Sequence, residues 1–225
     1  SIFTDTSLLF RTIGKVPQNA LRKVTADPYY QLYLDFQRTL AEKVNLELYR
    51  LLPQQDVLYR KYTEGMMKMD PSGVFYHDAN STMRLTYGKV EGYKPSDAVE
   101  YSYYTTLSGV VEKEDPEIED YQVPQKLKDL YASGDTGSYI VDGDVPVCFT
   151  ASNHTSGGNS GSPVINARGE LIGLNFDRNW EGTMSDYDYN PEICRNISLD
   201  IRYVLFLLEK YAGADNILNE LNLAD

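Results

Sequence analysis

A glycine-rich stretch in the second half of the chain carries the residue types that acyl transfer requires. Residues 155–164 read TSGGNSGSPV, and Ser160 lies between glycines in this run. Glycine adopts positive φ at no steric cost and lets a substrate carbonyl approach closely, so the N–H groups of Gly158 and Ser160 can converge on one oxygen. We interpret Ser160 as a candidate nucleophile. The alternative is a hairpin loop of glycine and serine without chemistry.

A serine hydroxyl also needs a general base that takes its proton, and the chain contains only two histidines. His154 lies shortly before Ser160, and we expect it at the adjoining strand end, not facing the hydroxyl. We interpret His77 as structural. The competing hypothesis, that His154 serves as the base, predicts activity that is lost on His154→Ala.

The residues around Ser160 form part of a longer motif. GNSGSPV at residues 158–164 is followed by a tight turn and an apolar strand, and residues 173–182 read GLNFDRNWEG. This combination resembles the nucleophile loop of chymotrypsin-like serine peptidases, in particular the bacterial dipeptidyl peptidases of types seven and eleven. Those enzymes are exopeptidases that remove dipeptides from a free N-terminus. Residues 78–90 and 196–203 resemble the same family less closely.

The resemblance implies an α+β fold in two parts. Residues 1–75 would be the C-terminal part of a helical lid domain, and residues 76–225 the C-terminal antiparallel β-barrel of a double-barrel peptidase with a terminal helix. In chymotrypsin-like peptidases the catalytic order is His, Asp, Ser, and the N-terminal barrel supplies the first two. The resemblance therefore implies that the base and its orienting aspartate precede this chain, which we expect to be nearly inactive alone.

Two residues on the strand after the nucleophile hairpin bear on specificity. Arg178 has five N–H donors in a fixed fork that matches an Asp or Glu carboxylate. In the resembling family, glycine at this position goes with apolar and arginine with acidic side chains before the cleaved bond, so the chain resembles type eleven. The resemblance also implies that Asp177 binds the substrate's α-ammonium group. The alternatives are a surface arginine paired with a nearby acid, and a turn aspartate.

Consecutive strand residues face opposite sides of a sheet. Asp177 and Arg178 can therefore reach one substrate only if the strand ends or bulges near them. We also expect the side chains of Ser160 and Arg178 to line one common cavity.

The rest of the chain supplies the elements that position these residues. Apolar spacing predicts a helix that begins after Asp27 and Pro28 and ends at Pro53, then a second helix over residues 54–69. Later segments predict strands and further helices. The predicted strands are residues 83–93, 99–107 and 145–151, with residues 94–97 connecting the first two; the predicted helices are residues 123–132, 201–211 and 215–221.

Composition narrows the possible partners. The 225 residues carry a net charge of -12, which argues against binding to nucleic acid or an anionic membrane, and the apolar run at 203–208 is too short to span a bilayer. Cys148 and Cys194 fit either one disulfide or two free thiols. Residues 186–190 imitate the start of a calcium loop but lack its glycine and glutamate, so we expect a loop and no metal or cofactor.

We therefore interpret the chain as the C-terminal part of a serine dipeptidyl peptidase that cleaves after Asp or Glu. Its substrates would be peptides with a free N-terminus and an acidic second residue, and a homodimer of the intact enzyme is a candidate assembly. The resemblance implies the periplasm or cell surface of a bacterium. The alternatives are a glutamate-specific endopeptidase of the same fold and a non-catalytic peptide-binding module.

Overall fold

The computed structural model describes residues 1–14, 17–76 and 81–224. The chain divides into two compact units, an N-terminal unit of Ser1–Phe75 and a C-terminal unit of Tyr76–Asp225. His77 lies outside the described residues, so its predicted structural role stays a prediction.

The N-terminal unit is helical, as the apolar spacing of the sequence predicts. Its α-helices are α1 Thr6–Ile13, α2 Pro17–Thr25, α3 Pro28–Thr39 and α4 Leu46–Met69, and a π-helical segment, Leu40–Asn45, joins α3 to α4. The side chain of Asp27 caps α3 by accepting a hydrogen bond from the Tyr29 N–H at 2.9 Å. The predicted helix start at Asp27 and Pro28 is therefore confirmed.

The predicted helix end at Pro53 is wrong, because α4 runs through this residue to Met69. Proline removes one N–H donor from a helix, but the hydrogen bonds on either side can continue it. The α-helical hydrogen-bond pattern is interrupted instead at Leu40–Asn45, where π-helical turns replace α-helical ones.

The C-terminal unit is built on an antiparallel sheet. Five strands pair in the order β3-β4-β7-β6-β5, and a separate hairpin pairs β1 with β2. The strands are β1 Tyr93–Ser96, β2 Val99–Tyr101, β3 Tyr104–Thr106, β4 Pro146–Ala151, β5 Pro163–Ile165, β6 Leu171–Arg178 and β7 Asn196–Asp200. Helices together with antiparallel sheets confirm the α+β class. Within the described residues, β3 and β5 are the two edges of the larger sheet.

The predicted strand over residues 83–93 is largely wrong. Its backbone follows the end of β4 without forming a regular ladder: the Ser152 N–H donates to the Lys89 carbonyl, and the Lys89 N–H donates to the Ser152 hydroxyl. A side-chain oxygen thus takes the place of a backbone partner, which ends strand pairing there. The connection predicted at residues 94–97 instead contains most of β1, and the strand predicted over 99–107 is divided between β2 and β3.

Helices cover part of this sheet and complete its apolar core. They are α5 Leu107–Glu112, α6 Gln125–Ser133, α7 Ile201–Phe206 and α8 Asp215–Leu218, with a π-helical segment at Leu207–Ala212. The core consists of side chains from α5, α6, α7, β4 and the segment before β4; its buried members are Leu107, Leu127, Tyr139, Val145, Val147 and Phe206. The helices predicted near residues 123, 201 and 215 are confirmed.

Two further observations bear on the sequence analysis. Cys148 and Cys194 are both free thiols, so the structure favours the second of the two alternatives for them. Over the described ranges, we find no helix with the length and apolarity that crossing a membrane demands.

Candidate active site

Ser160 lies in the loop that joins β4 to β5, and its side chain is exposed to solvent. Glycines bend the backbone on both sides of it: Gly158 has φ 97° and Gly161 has φ 79°. Both values lie in the left-handed region that side-chain-bearing residues rarely adopt. The glycines of the motif are therefore required by the turn that presents the hydroxyl.

The backbone amides of this turn fall into two groups. The N–H groups of Asn159, Gly161 and Ser162 all donate within the protein, at 2.7–3.1 Å. Among the described residues, the N–H groups of Gly158 and Ser160 have no acceptor. Two unpaired amides beside one exposed hydroxyl are what an oxyanion site requires.

Strand β6 holds the loop in place through Asn175. The Asn175 carbonyl accepts from the Gly161 N–H at 2.7 Å, and its own N–H donates to the Ser162 carbonyl at 2.9 Å. Its side-chain amide donates to the Asn159 carbonyl at 3.1 Å and accepts from the Asn196 amide at 2.9 Å. All three asparagines are buried. A buried amide ladder thus connects the serine loop to β6 and β7.

Asp177 and Arg178 form the end of β6, where the pairing with β7 changes. Asn175 pairs with Ser198 but Asp177 pairs with Ile197, so one extra residue, Phe176, is inserted between them. A bulge of this kind re-aims the side chains that follow it. The structure therefore contains both of the features that would let Asp177 and Arg178 reach one substrate, a bulge and a strand end.

The guanidinium of Arg178 is paired within the protein. Its Nη1 donates to Asp186 Oδ1 at 2.7 Å and to Ser185 Oγ at 2.7 Å, and its Nη2 donates to Asp186 Oδ2 at 2.8 Å. Hydrogen bonding to Asp186 raises the pKa of Arg178, and the same bonds lower the pKa of Asp186. The alternative of an arginine paired with a nearby acid is therefore realised, with one edge of the guanidinium still available.

His154 is buried in an aromatic cluster. Its ring stacks on Tyr76 with centroids 4.1 Å apart, and Tyr189 meets it edge-on at 5.3 Å. Its Nε2 lies 3.2 Å from the Ser185 carbonyl oxygen, and Tyr189 donates its hydroxyl to the Ser152 carbonyl. Within the described residues His154 makes no hydrogen bond to Ser160. Its contacts support the loop that carries Ser185 and Asp186.

The expectation that Ser160 and Arg178 line one common cavity stays a prediction. An open apolar groove of about 1180 Å³ lies in the C-terminal unit, lined by residues of β3, β4, β6 and the terminal helices, and neither Ser160 nor Arg178 lines it. The two residues are connected instead through β6, from Asn175 to Arg178. Three strand residues correspond to roughly 10 Å.

Sequence reasoning missed the partners of both key residues. The sequence predicts only a loop for Asp186, and it predicts no role for Ser185, Asn175 or Asn196. No pattern distinguishes Asp186 from the other acids near it, because the pairing depends on how the loop folds back. The part of the chain that the structure describes holds no cluster of three or more His, Cys, Asp or Glu suited to a metal ion.

The chain is similar in sequence to a known protein family and to several of its members. The family model described as Peptidase S46 matches residues 5–223. An Asp/Glu-specific dipeptidyl-peptidase of Flavobacterium psychrophilum is 46% identical over 210 residues, which are 90% of this chain and 28% of that protein. A dipeptidyl-peptidase 7 of Phocaeicola vulgatus is 42% identical over 226 residues, which are 100% of this chain and 31% of that protein.

A solved structure is similar across nearly the same range. The crystal structure of Porphyromonas endodontalis DPP11 in complex with the dipeptide Arg-Glu is matched with a TM-score of 0.74 and 41% identity, covering 98% of this chain and 31% of that chain. The chain thus spans about 28–31% of the length of these relatives.

Proposed function

Because the chain belongs to the peptidase S46 family, we propose that it supplies the nucleophile and the specificity arginine of a serine exopeptidase. This enzyme releases N-terminal dipeptides that have Asp or Glu before the cleaved bond. The relatives named Asp/Glu-specific dipeptidyl-peptidase and the solved complex with Arg-Glu support the proposal. Its substrates are peptides with a free N-terminus, and it uses no cofactor.

The proposed reaction is acyl transfer through Ser160. Its Oγ attacks the carbonyl carbon of the second substrate residue, while the N–H groups of Gly158 and Ser160 stabilise the oxyanion. The hydroxyl proton passes through a general base to the leaving amine as the peptide bond breaks. Water then attacks the acyl-enzyme and releases the dipeptide, which regenerates the hydroxyl. Asp177 binds the substrate's α-ammonium group and Arg178 its acidic side chain.

One observation carries the proposal. A solvent-exposed serine, flanked by two amides without acceptors among the described residues, is hydrogen-bonded through its loop to the strand that ends in Arg178. The left-handed glycines at 158 and 161 support the proposal because they bend the chain on both sides of Ser160 and leave its hydroxyl exposed. The guanidinium further along the same strand makes an acidic side chain the favoured ligand.

The experiment replaces the specificity arginine in the complete natural polypeptide that carries this chain. Arg178→Gly should reduce kcat/KM for a free-amine dipeptidyl substrate with Glu before the cleaved bond by at least tenfold, because a charge-assisted bidentate contact is lost. Preference should shift towards apolar side chains at that position. The measurement is kcat/KM for Glu and Leu substrates.

Arg168→Gly is the matched control, since Arg168 also pairs bidentately with an acid, Glu170, but in the turn between β5 and β6. It should leave the preference unchanged. An unchanged preference of Arg178→Gly would remove Arg178 from the pocket. Equal cleavage of N-acetylated and free-amine peptides would favour the endopeptidase, and a failure of a fluorophosphonate to label Ser160 would favour the binding module.

The sheet of the C-terminal unit also fits one half of a chymotrypsin-like double barrel, and we extend the proposal to that fold. The antiparallel order and the nucleophile loop between β4 and β5 support it. We also propose that the protein is located in the periplasm or on the cell surface of a bacterium, which fractionation of the source cells would test. A homodimer is the proposed assembly, which sedimentation of the complete polypeptide would test.

A further inference from the structure

Only some of the N–H donors of the Arg178 guanidinium have an acceptor among the described residues. Of its five N–H groups, two are given to Asp186 and one to Ser185. The two bonds to Asp186 occupy the Nη1–Nη2 end of the group, and the bond to Ser185 uses the remaining hydrogen of Nη1. The Nε–H and the outer Nη2–H have no acceptor among the described residues. The protein therefore saturates one edge of the guanidinium and leaves a second edge unpaired.

The unpaired edge is itself a bidentate site. The Nε and Nη2 hydrogens of an arginine point in the same direction and match the two oxygens of a carboxylate. A substrate carboxylate can thus bind Arg178 side-on while Asp186 keeps the end-on position. Displacement of Asp186 is not required, and the cost of breaking a bidentate ion pair is avoided.

The loop that carries Asp186 is held by several independent contacts. The Ser185 N–H donates to the Gly182 carbonyl at 3.0 Å, and the Ser185 carbonyl lies 3.2 Å from His154 Nε2. At the start of the loop, the side chain of Asn179 donates to the Ile193 carbonyl at 2.7 Å. Both Ser185 and Asn179 are buried. A loop fixed in this way can orient the side chain that it binds.

We infer that Asp186 and Ser185 are positioning residues that hold Arg178 by its end, so that the Nε–Nη2 edge receives the acidic side chain of the substrate. This inference rests on the proposed function and extends it to residues that set how the specificity arginine is presented. The side chains of Arg178 and Asp186 are only 27% and 35% exposed, so the pair is partly shielded from water.

The arrangement also changes what the site recognises. Arg178 and Asp186 together carry no net charge, so this pair recognises a carboxylate by the position of two donors on the guanidinium. A glutamine side chain has the same shape as glutamate but only one acceptor oxygen. The ratio of kcat/KM for Glu over Gln before the cleaved bond therefore measures how well the edge is presented.

The test uses the complete natural polypeptide that carries this chain. Asp186→Ala should lower the Glu over Gln ratio by at least tenfold, with the loss appearing in KM for the Glu substrate, because an unrestrained guanidinium loses its side-on alignment. Ser185→Ala should lower the ratio in the same direction but by less. Asp188→Ala, which makes the same charge change two residues further on, should leave the ratio unchanged.

The outcomes separate the possibilities. A higher ratio in Asp186→Ala would mean that Asp186 competes with the substrate, and an unchanged ratio would mean that it serves only the fold; either result overturns the inference. If Asp186→Ala does not fold, an unchanged ratio in Ser185→Ala overturns it. If the unaltered enzyme does not prefer Glu over Gln, the proposed function itself fails and this inference falls with it.

Discussion

His154 shows how burial can assign a role to a side chain that its position in the sequence leaves open. The residue is 6% exposed, and its ring stacks on Tyr76 and lies beside the Ser185 carbonyl. Burial lowers the pKa of His154, and the positive charges of Arg84 and Arg178 lower it further. The lowered pKa favours the neutral form of the ring, and because a carbonyl oxygen only accepts, Nε2 is the donor in this contact.

The titration of His154 is directly measurable. An unfolded histidine has a pKa of about 6.5 and the folded pKa lies lower, so between these two pKa values the unfolded chain binds a proton that the folded chain does not. Stability is therefore lost as the pH falls below about 6.5. An NMR titration of the histidine Cε1 protons in the 225-residue chain should show this low midpoint, with His154→Gln identifying the signal. A midpoint at or above the unfolded value would contradict it.

Strand β6 connects the loop of Ser160 to Arg178, and the packing of β6 depends on one glycine. A Cβ added to Gly173 would lie 2.6 Å from the Leu199 carbonyl oxygen and 2.7 Å from the ring of Phe149. The Leu199 carbonyl belongs to the backbone of β7 and cannot move without disturbing the ladder, and the Phe149 ring of β4 would have to shift as well. The glycine lets three strands pack behind the site.

Gly173→Ala should therefore destabilise the C-terminal unit. Overpacking of a well-packed core costs about 1–3 kcal/mol. The matched control is Gly109→Ala, since a Cβ at Gly109 in α5 meets nothing within 4 Å. Alanine is the better helix former there and should stabilise by up to about 1 kcal/mol. Urea unfolding of the two variants measures the difference. Equal midpoints would mean that the sheet accommodates the methyl group.

In the described parts of the chain, no histidine is hydrogen-bonded to Ser160, the proposed nucleophile. His154 is engaged with the Ser185 carbonyl and two tyrosine rings, and His77 lies outside the described residues. Without its general base, a catalytic serine retains only the part of the rate enhancement that comes from the oxyanion site and from substrate binding.

We therefore expect the 225-residue chain to cleave a free-amine dipeptidyl substrate at least about a thousandfold more slowly than the complete natural polypeptide that carries it. Release of a chromophoric leaving group measures both rates. A comparable rate that is lost on His154→Ala would identify His154 as the base, and one lost on His77→Ala would identify His77. Either result would refute the expectation.

Local signals in the sequence were sufficient to predict much of this protein. The glycines around Ser160 predicted the turn because only glycine tolerates its backbone angles, and Asp27 with Pro28 predicted a helix start because capping involves adjacent residues. The irregular course of residues 83–89 was not predictable, since a Ser152 side chain replaces the strand partner there.

The sequence also named Arg178 as the group that would select a carboxylate, because a guanidinium has that chemistry wherever it is placed. It could not reveal that Asp186 and Ser185 occupy one edge of that group, nor that Asn175 and Asn196 support the serine loop from beneath. Such pairings depend on how separate segments fold together in space, and several acids of equal local character compete for one arginine. Only the tertiary structure determines which of these acids pairs with the arginine.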